Sequence, residues 1–273
     1  MDYRFLLVAA LMLVFYAPVF SALADTWSMD PYYSHGFLVP AISLYVAYSL
    51  RRALKADDRD FMYGAALTAA GLALYGYGML NRALYLSALS FIIVVSGMAL
   101  SFYSGKGLKR LAFPILFLIF MIPLPYTDYA STYLQSYTAS AASVIIRAAG
   151  IPAENQGSQI VMGEDSGFVI GEPCSGLRTM LALFALAAIF AYYMDAPAWK
   201  KWLVFFSALP VAVLANVLRV DVILYIAHYW GHDLAMAFFH EASSLFLFLL
   251  AFILLIIISR LLGCKGVRNI SRS

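Results

Sequence analysis

Residues 202–230 read WLVFFSALPVAVLANVLRVDVILYIAHYW, an almost wholly apolar stretch that contains one arginine, Arg219. A helix needs about 20 mostly apolar residues to cross the hydrocarbon core of a bilayer, so this stretch predicts a membrane span. An arginine inside such a span costs at least about 2.5–3.5 kcal/mol. We therefore expect Arg219 to have a partner or to line an aqueous cavity.

The composition extends this interpretation to the whole chain. Of the 273 residues, 63% are hydrophobic and 12% are charged, against about 45–50% and about 25% in soluble domains. These values exclude a water-soluble globule and a disordered chain. The net charge of +3 is too small and too dispersed for a nucleic-acid surface. Two cysteines, Cys174 and Cys264, exclude a cysteine-rich scaffold or a multi-cysteine metal cluster, and we expect no cofactor and no metal.

Apolar runs bounded by charged or turn residues predict a single all-α polytopic membrane domain over residues 1–273, with about eight transmembrane helices. The predicted spans are residues 5–23, 36–50, 61–80, 83–103, 111–126, 175–194, 202–230 and 242–262. An external segment, 127–174, separates the fifth span from the sixth. Within it, residues 129–149 predict an amphipathic helix lying at the interface, and residues 159–162 and 168–170 predict a short β-hairpin.

The basic residues predict the orientation of these helices. Fourteen of the 18 Lys and Arg residues fall at the termini or in alternate loops. Because such loops are retained in the cytoplasm, both termini are predicted to be cytoplasmic. Nine acids and all four histidines then lie outside. The remaining basic residues are Arg82, Arg147, Arg178 and Arg219.

Cys174 lies in the unusual stretch GEPCSGLR, residues 171–178. Pro173 suits the first turn of a helix, which would place Cys174 at the positive end of the sixth span. That position and a nearby cation lower the pKa of a thiol, and Arg178 follows four residues later. The alternative is that Cys174 is a small buried apolar residue.

Two further polar residues, Arg219 and His240, are predicted at the same depth as Cys174. Arg219 lies about 25 Å along the seventh span, counted at 1.5 Å per residue from its cytoplasmic end. Alternatives for Arg219 are snorkelling to the interface or a salt bridge to Asp221 or to another helix. Asn216, on the same face of the helix, either lines the polar cavity together with Arg219 or forms a hydrogen bond between helices. His240 directly precedes the eighth span.

Cys174, Arg219 and His240 supply a nucleophile, an oxyanion-stabilising cation and an acid/base, which together suit acyl transfer. Imidazole is the usual proton-transfer group near neutral pH, although His228 and His232 compete with His240 by position. A carrier or channel that uses the same polar cluster is the alternative from another functional class, and a membrane acyltransferase is the alternative among enzymes.

Three motifs, CSGLR at 174–178, NVLR at 216–219 and FHE at 239–241, resemble in order and spacing those of the exosortase/archaeosortase family of membrane-embedded cysteine transpeptidases. The stretch YSHGFLVP at 33–40 is similar to the N-terminal motif of that family. The resemblance covers Tyr33 to about Glu241.

The resemblance implies that Cys174 is the nucleophile, Arg219 stabilises the oxyanion and His240 is the acid/base. The implied substrates are secreted proteins that end in a short motif, often Pro-Glu-Pro, a transmembrane helix and a basic tail. Cleavage through a thioacyl intermediate would be followed by transfer to a lipid or glycan acceptor, on the extracytoplasmic face of the cell membrane. Residues expected to bind substrate or support the site are Arg178, Asn216, His35 and Glu241, with His35 favoured as a cap of the second span.

Overall fold

The structure is a computed structural model that describes residues 3–162, 166–169, 176–241 and 243–267. The chain divides into two compact units, and the boundary falls between Pro125 and Tyr126. Each unit consists mainly of helices, in agreement with the predicted all-α class. One membrane domain over the whole chain stays a prediction.

The first unit contains five α-helices and two 3₁₀ helices. They are α1 (Tyr3–Phe15), α2 (Ala17–Met29), a 3₁₀ helix (Pro31–Phe37), α3 (Leu38–Ser49), α4 (Phe61–Leu80), α5 (Leu84–Phe117) and a second 3₁₀ helix (Leu118–Met121). The bounds of α4 are those predicted for the third span.

The first predicted span is wrong as one straight helix, because α1 and α2 meet at an angle of 63°. Pro18 lies in the first turn of α2. A proline there has no N–H to donate to the preceding turn, so a helix readily starts afresh at that point. Tyr16 at the bend is fully buried.

The fourth predicted span forms the first half of α5, whereas the fifth, 111–126, covers only the end of its second half and the 3₁₀ helix that follows. Ser104, with φ 54° and ψ −177°, interrupts the helical backbone between them. Phe91 and Met121 line one cavity, whereas a straight helix would separate them by about 45 Å at 1.5 Å per residue. The chain therefore reverses direction near Ser104.

Close packing between α4 and α5 depends on a glycine at every seventh position of α4. Gly64, Gly71 and Gly78 are all buried. A Cβ atom at Gly64 would lie 2.4 Å from the backbone nitrogen of Ser101, and one at Gly78 would lie 2.8 Å from that of Ser87. Small residues allow this close approach, which supplies the van der Waals contact that holds helices together in a membrane.

The second unit surrounds one long helix, α8, of 33 residues. Its elements are α6 (Thr127–Ala148), β1 (Glu154–Gln156), β2 (Gln159–Met162), β3 (Ser166–Val169), α7 (Leu177–Tyr193), β4 (Met194–Asp195), α8 (Ala198–Trp230), α9 (His232–Glu241), α10 (Ser243–Leu261) and β5 (Lys265–Val267). The sequence did not predict α9, β1 or the antiparallel pair of β4 with β5.

The predicted hairpin before the sixth span is confirmed and gains a third strand. β2 pairs antiparallel with β3, with Ile160 opposite Phe168, and β1 pairs antiparallel with β2. Ile160 is fully buried. The sheet therefore contributes an apolar side chain to the core of this unit.

Two apolar clusters form on different sides of α8. One combines α8 residues such as Val217 and Leu224 with Ala142 of α6 and Ile160 of β2. The other combines α8 with Leu183 of α7 and with Leu247, Ala251 and Leu255 of α10. Three polar side chains in the second half of α8, those of Asn216, Arg219 and Asp221, are also buried.

By length and composition, two helical segments in the described part of the chain are long and apolar enough to cross a membrane: Leu84–Met121, which contains the break at Ser104, and Ala198–Trp230. The bent pair α1 and α2 makes a third if it is counted as one span. Leu177–Tyr193 and Leu245–Leu261 are shorter apolar helices. About eight crossings with both termini inside stays a prediction.

Candidate functional site

Arg219 is the largest fully buried side chain among the described residues, with 2% of its surface exposed. Its neighbours Val217 and Val220 belong to the apolar cluster that α8 forms with α6 and β2. The alternative in which Arg219 snorkels to water is therefore wrong. A guanidinium keeps its charge when buried and presents several N–H donors in a fixed plane, which suits it to bind an anionic oxygen.

Asp221 does not hydrogen-bond to Arg219. Both carboxylate oxygens of Asp221 are buried and lack a hydrogen-bond partner among the described residues. At 3.6 residues per turn, side chains two positions apart on a helix point in directions that differ by about 160°. The salt bridge considered for this pair is therefore absent, and Arg219 points towards a different side of α8.

Asn216 connects α8 to two other elements. It lies three residues before Arg219, on the same face of the helix, and is 2% exposed. Its side-chain Nδ2 donates to Oγ1 of Thr138 on α6 at 3.2 Å. A Cβ atom built on Gly176, at the start of α7, would lie 2.5 Å from Cγ of Asn216. Asn216 thus packs directly on the backbone of the CSGLR stretch.

Gly176 is the N-cap of α7 and has φ 74°. Only glycine adopts this left-handed conformation at little cost. Its carbonyl oxygen accepts the first helical hydrogen bond, from the backbone N–H of Met180 at 2.9 Å. The CSGLR stretch therefore combines a left-handed turn with a close approach to α8, and both need a glycine at this position.

The predicted start of the sixth span is corrected by this cap. α7 begins at Leu177, directly after its N-cap Gly176, whereas the predicted helical position of Pro173 falls outside the described residues. Arg178 lies in the first turn and is exposed. Cys174 lies outside the described residues, so the shared helical face of Cys174 and Arg178 stays a prediction.

Three expected site residues lie outside the part of the chain whose side chains are described. Cys174 is outside the described residues altogether. The backbone of His240 and Glu241 forms the end of α9, which directly precedes α10, but their side chains are not among those described. Their roles stay predictions.

His35 does not cap the second span. The N-cap of α3 is Phe37, and no side chain caps that helix. His35 lies in the preceding 3₁₀ helix, where its ring stacks on Tyr33 with centroids 6.4 Å apart. The hydroxyl of Tyr33 accepts from the backbone N–H of Leu124 at 2.7 Å. This hydrogen bond connects the YSHGFLVP stretch to the residues that follow the second 3₁₀ helix.

Sequence reasoning missed Gly176 and Thr138 as supports of the site. The signal for Gly176 was present, since a glycine directly before an apolar helical run is typical of a cap. Thr138 belongs to a series of small residues on α6, and small polar residues are typical of helix interfaces in membranes. The residues around Thr138 in the sequence do not indicate which helix its side chain contacts.

These observations define the class of the protein: an all-α integral membrane protein with a buried arginine beside a glycine-capped helix. The chain belongs to the transmembrane exosortase family (Exosortase_EpsH), whose profile matches residues 27–257. No curated protein and no solved structure matches the chain. The family match includes the CSGLR, NVLR and FHE motifs.

Proposed function

We propose that this chain is a membrane-embedded cysteine transpeptidase that cleaves a C-terminal sorting signal from secreted proteins. Family membership supports the class of reaction. The observation that carries the assignment of residues is the contact between Gly176 and Asn216, one helical turn from the buried Arg219. It joins two of the three motifs in space.

Cys174 is the proposed nucleophile. Consecutive Cα atoms are 3.8 Å apart, so the Cα atom of Cys174 is within about 7.6 Å of that of Gly176. Gly176 in turn contacts Asn216. Covalent geometry alone therefore keeps the thiol in the neighbourhood of the Arg219 helix.

In the proposed reaction, the Cys174 thiolate attacks the carbonyl carbon of the scissile peptide bond and forms a tetrahedral oxyanion. Arg219 donates N–H groups to this oxyanion, and a buried guanidinium is effective because little water screens its charge. The C–N bond then breaks, and His240 protonates the departing amine. An acceptor nucleophile resolves the thioester and restores the thiol.

The proposed substrates end in a short motif, a transmembrane helix and a basic tail. Their basic end stays in the cytoplasm by the same rule that orients this chain, so the motif emerges on the opposite face. Arg178 is an exposed cation in the first turn of α7. It is therefore a proposed binding residue for the acidic part of this motif. The acceptor is a lipid or a glycan.

The test is removal of such a tail from a reporter protein expressed with each variant in the same cells. Cys174→Ala is expected to abolish processing, whereas the matched change Cys264→Ala is expected to leave it intact because Cys264 lies past α10. His240→Ala is compared with His228→Ala and His232→Ala. Full processing by Cys174→Ala, at equal membrane abundance, rules the mechanism out.

A second pair of variants separates charge from geometry at Arg219. Arg219→Gln removes the cation, and Arg219→Lys keeps the charge but loses the planar donor set. Loss of one oxyanion donor costs about 100- to 1000-fold in rate, so both variants are expected to fall by at least that much. Equal rates for Arg219→Gln and the parent chain would exclude the oxyanion role.

A further inference from the structure

The first unit encloses a cavity of about 410 Å³ between α1, α2, α3 and both halves of α5. Among the described residues that line it, Ser43 alone has a polar side chain. Its hydroxyl donates to the carbonyl oxygen of Pro114 at 2.6 Å and is thereby satisfied. The described side chains of the wall thus offer no free hydrogen-bond donor to water or to a polar ligand.

The cavity opens along α1 and α3. Leu6 and Leu13 of α1 and Leu44 of α3 line it, and their exposed fractions are 49%, 52% and 70%. No residue of α1 is buried. This helix therefore borders the cavity without being packed tightly on the protein.

In a membrane protein, an apolar opening of this kind faces hydrocarbon and not water. Apolar cavities of about 150 Å³ stay dry and take up small hydrocarbons such as benzene. A cavity of 410 Å³ has room for a longer hydrocarbon segment. Filling it with hydrocarbon restores the dispersion contacts that an empty wall lacks.

One end of the cavity lies beside most of the basic residues of this unit. The ring of Phe5, which lines the cavity, contacts Tyr103 with centroids 5.2 Å apart. The loop after α3 reaches the same end, because the backbone N–H of Asp57 donates to the carbonyl oxygen of Phe102 at 3.0 Å. Arg110 donates to the carbonyl oxygen of Ala53.

The charge at this end is strongly positive. The chain segments that meet at this end carry eight basic residues against three described acids, and one of those acids, Asp57, is paired with Arg59. The basic residues are Arg4, Arg51, Arg52, Lys55, Arg59, Lys106, Lys109 and Arg110. Three of them directly flank the lining: Arg4 precedes Phe5, Arg110 precedes Leu111, and Arg51 follows Ala47 by one turn.

We propose that this cavity binds one acyl chain of an anionic phospholipid, whose headgroup lies against Arg4, Arg51 and Arg110. The apolar wall binds the acyl chain of the lipid, and the basic residues at its end favour an anionic headgroup. The bound lipid fills the space under α1 and fixes that helix to α3 and α5. The lining of this cavity belongs to the first unit, whereas the proposed catalytic residues Cys174, Arg219 and His240 belong to the second.

The experiment uses the full chain purified in detergent and offered phosphatidylglycerol or phosphatidylcholine with identical acyl chains. Native mass spectrometry counts the retained lipid, and the unfolding midpoint reports stabilisation. The expected result is one tightly retained phosphatidylglycerol, a raised midpoint, and weaker retention of phosphatidylcholine. Equal retention of both lipids, or of neither, overturns the proposal without any need for a variant.

Two variants separate the chain from the headgroup. Ala47→Phe narrows the cavity and is expected to lower retention of either lipid, whereas Ala41→Phe, an exposed position of α3 outside the lining, is the matched control. Arg51→Gln is expected to lower the preference for phosphatidylglycerol about fivefold, the effect of one basic residue near an anionic surface. Arg82→Gln, in the loop between α4 and α5, is expected to leave it unchanged. Retention by Ala47→Phe equal to that of the parent chain contradicts the site.

Discussion

Replacing Gly176 with alanine tests the contact between α7 and α8 directly. At φ 74° an alanine is strained by about 1–2 kcal/mol. Its Cβ atom would also lie 2.5 Å from Cγ of Asn216, and overpacking of this kind costs about 1–3 kcal/mol more. We therefore expect Gly176→Ala to lower the free energy of unfolding by about 2–5 kcal/mol.

Gly157→Ala is the matched control. Gly157, in the turn between β1 and β2, has φ 76°, and nothing lies within 4 Å of a Cβ atom built there. It carries the same backbone strain without the collision, so we expect a loss of about 1–2 kcal/mol. Unfolding of the purified protein in mixed micelles, followed by tryptophan fluorescence, measures both variants.

A double-mutant cycle identifies the colliding group. Asn216→Ala removes Cγ and Nδ2 and leaves only the Cβ contact at 2.9 Å, so Gly176→Ala is expected to cost less in that background. If Gly176→Ala and Gly157→Ala are equally destabilising, the close approach to α8 is refuted. Tail processing should also fall by about 100-fold in Gly176→Ala, the effect of displacing reacting groups by about 1 Å.

Three further predictions concern other contacts. Thr138→Val removes the hydrogen bond from Asn216 and should lower the free energy of unfolding in micelles by about 0.6 kcal/mol, the average for such bonds in membranes; a gain in stability would contradict it. Tyr16→Phe removes a buried hydroxyl paired with a serine of α5 at 2.8 Å and should cost about 1 kcal/mol, measured in the same way. The hydrogen bonds from Arg59 hold the pKa of Asp57 well below its usual value, so the stability that this pair contributes is present above about pH 4 and is lost only as the pH falls further. Asp57→Asn should lower the hydrogen-exchange protection factors of the 51–60 loop at pH 7, whereas those of the parent chain, corrected for the intrinsic exchange rate at each pH, should be unchanged between pH 8 and 5.

The helices were largely predictable because apolar runs and turn residues are local features. Residues 61–80 form α4 as predicted, and the predicted β2 strand, 159–162, has the observed bounds. The bend between α1 and α2 had a local cause as well, since Pro18 marks it. The amphipathic helix predicted at 129–149 is present as α6, over Thr127–Ala148. Its position at the membrane interface stays a prediction.

Other features could not be predicted because they depend on distant partners. Ser104 has no glycine-like signal for its φ of 54°; its hydroxyl donates to Asp57 at 3.1 Å, which lies 47 residues away in the sequence. The start of α7 was predicted two residues too early, because the turn at Gly176 is stabilised by its fit against Asn216. Neither partner is visible from the local pattern.

The membrane class, the approximate positions of most helices and the family follow from the amino-acid sequence, because apolarity, periodicity and short motifs are properties of neighbouring residues. The sequence also indicated that Arg219 must be accommodated, since an arginine in an apolar span is costly wherever it lies. The way in which Arg219 is accommodated is visible only in the tertiary structure. There, α8 is covered on both sides, and Arg219 is buried beside Asn216 and is not paired with Asp221. Which face of a helix another helix covers depends on packing between segments far apart in the chain, and no local pattern carries that information.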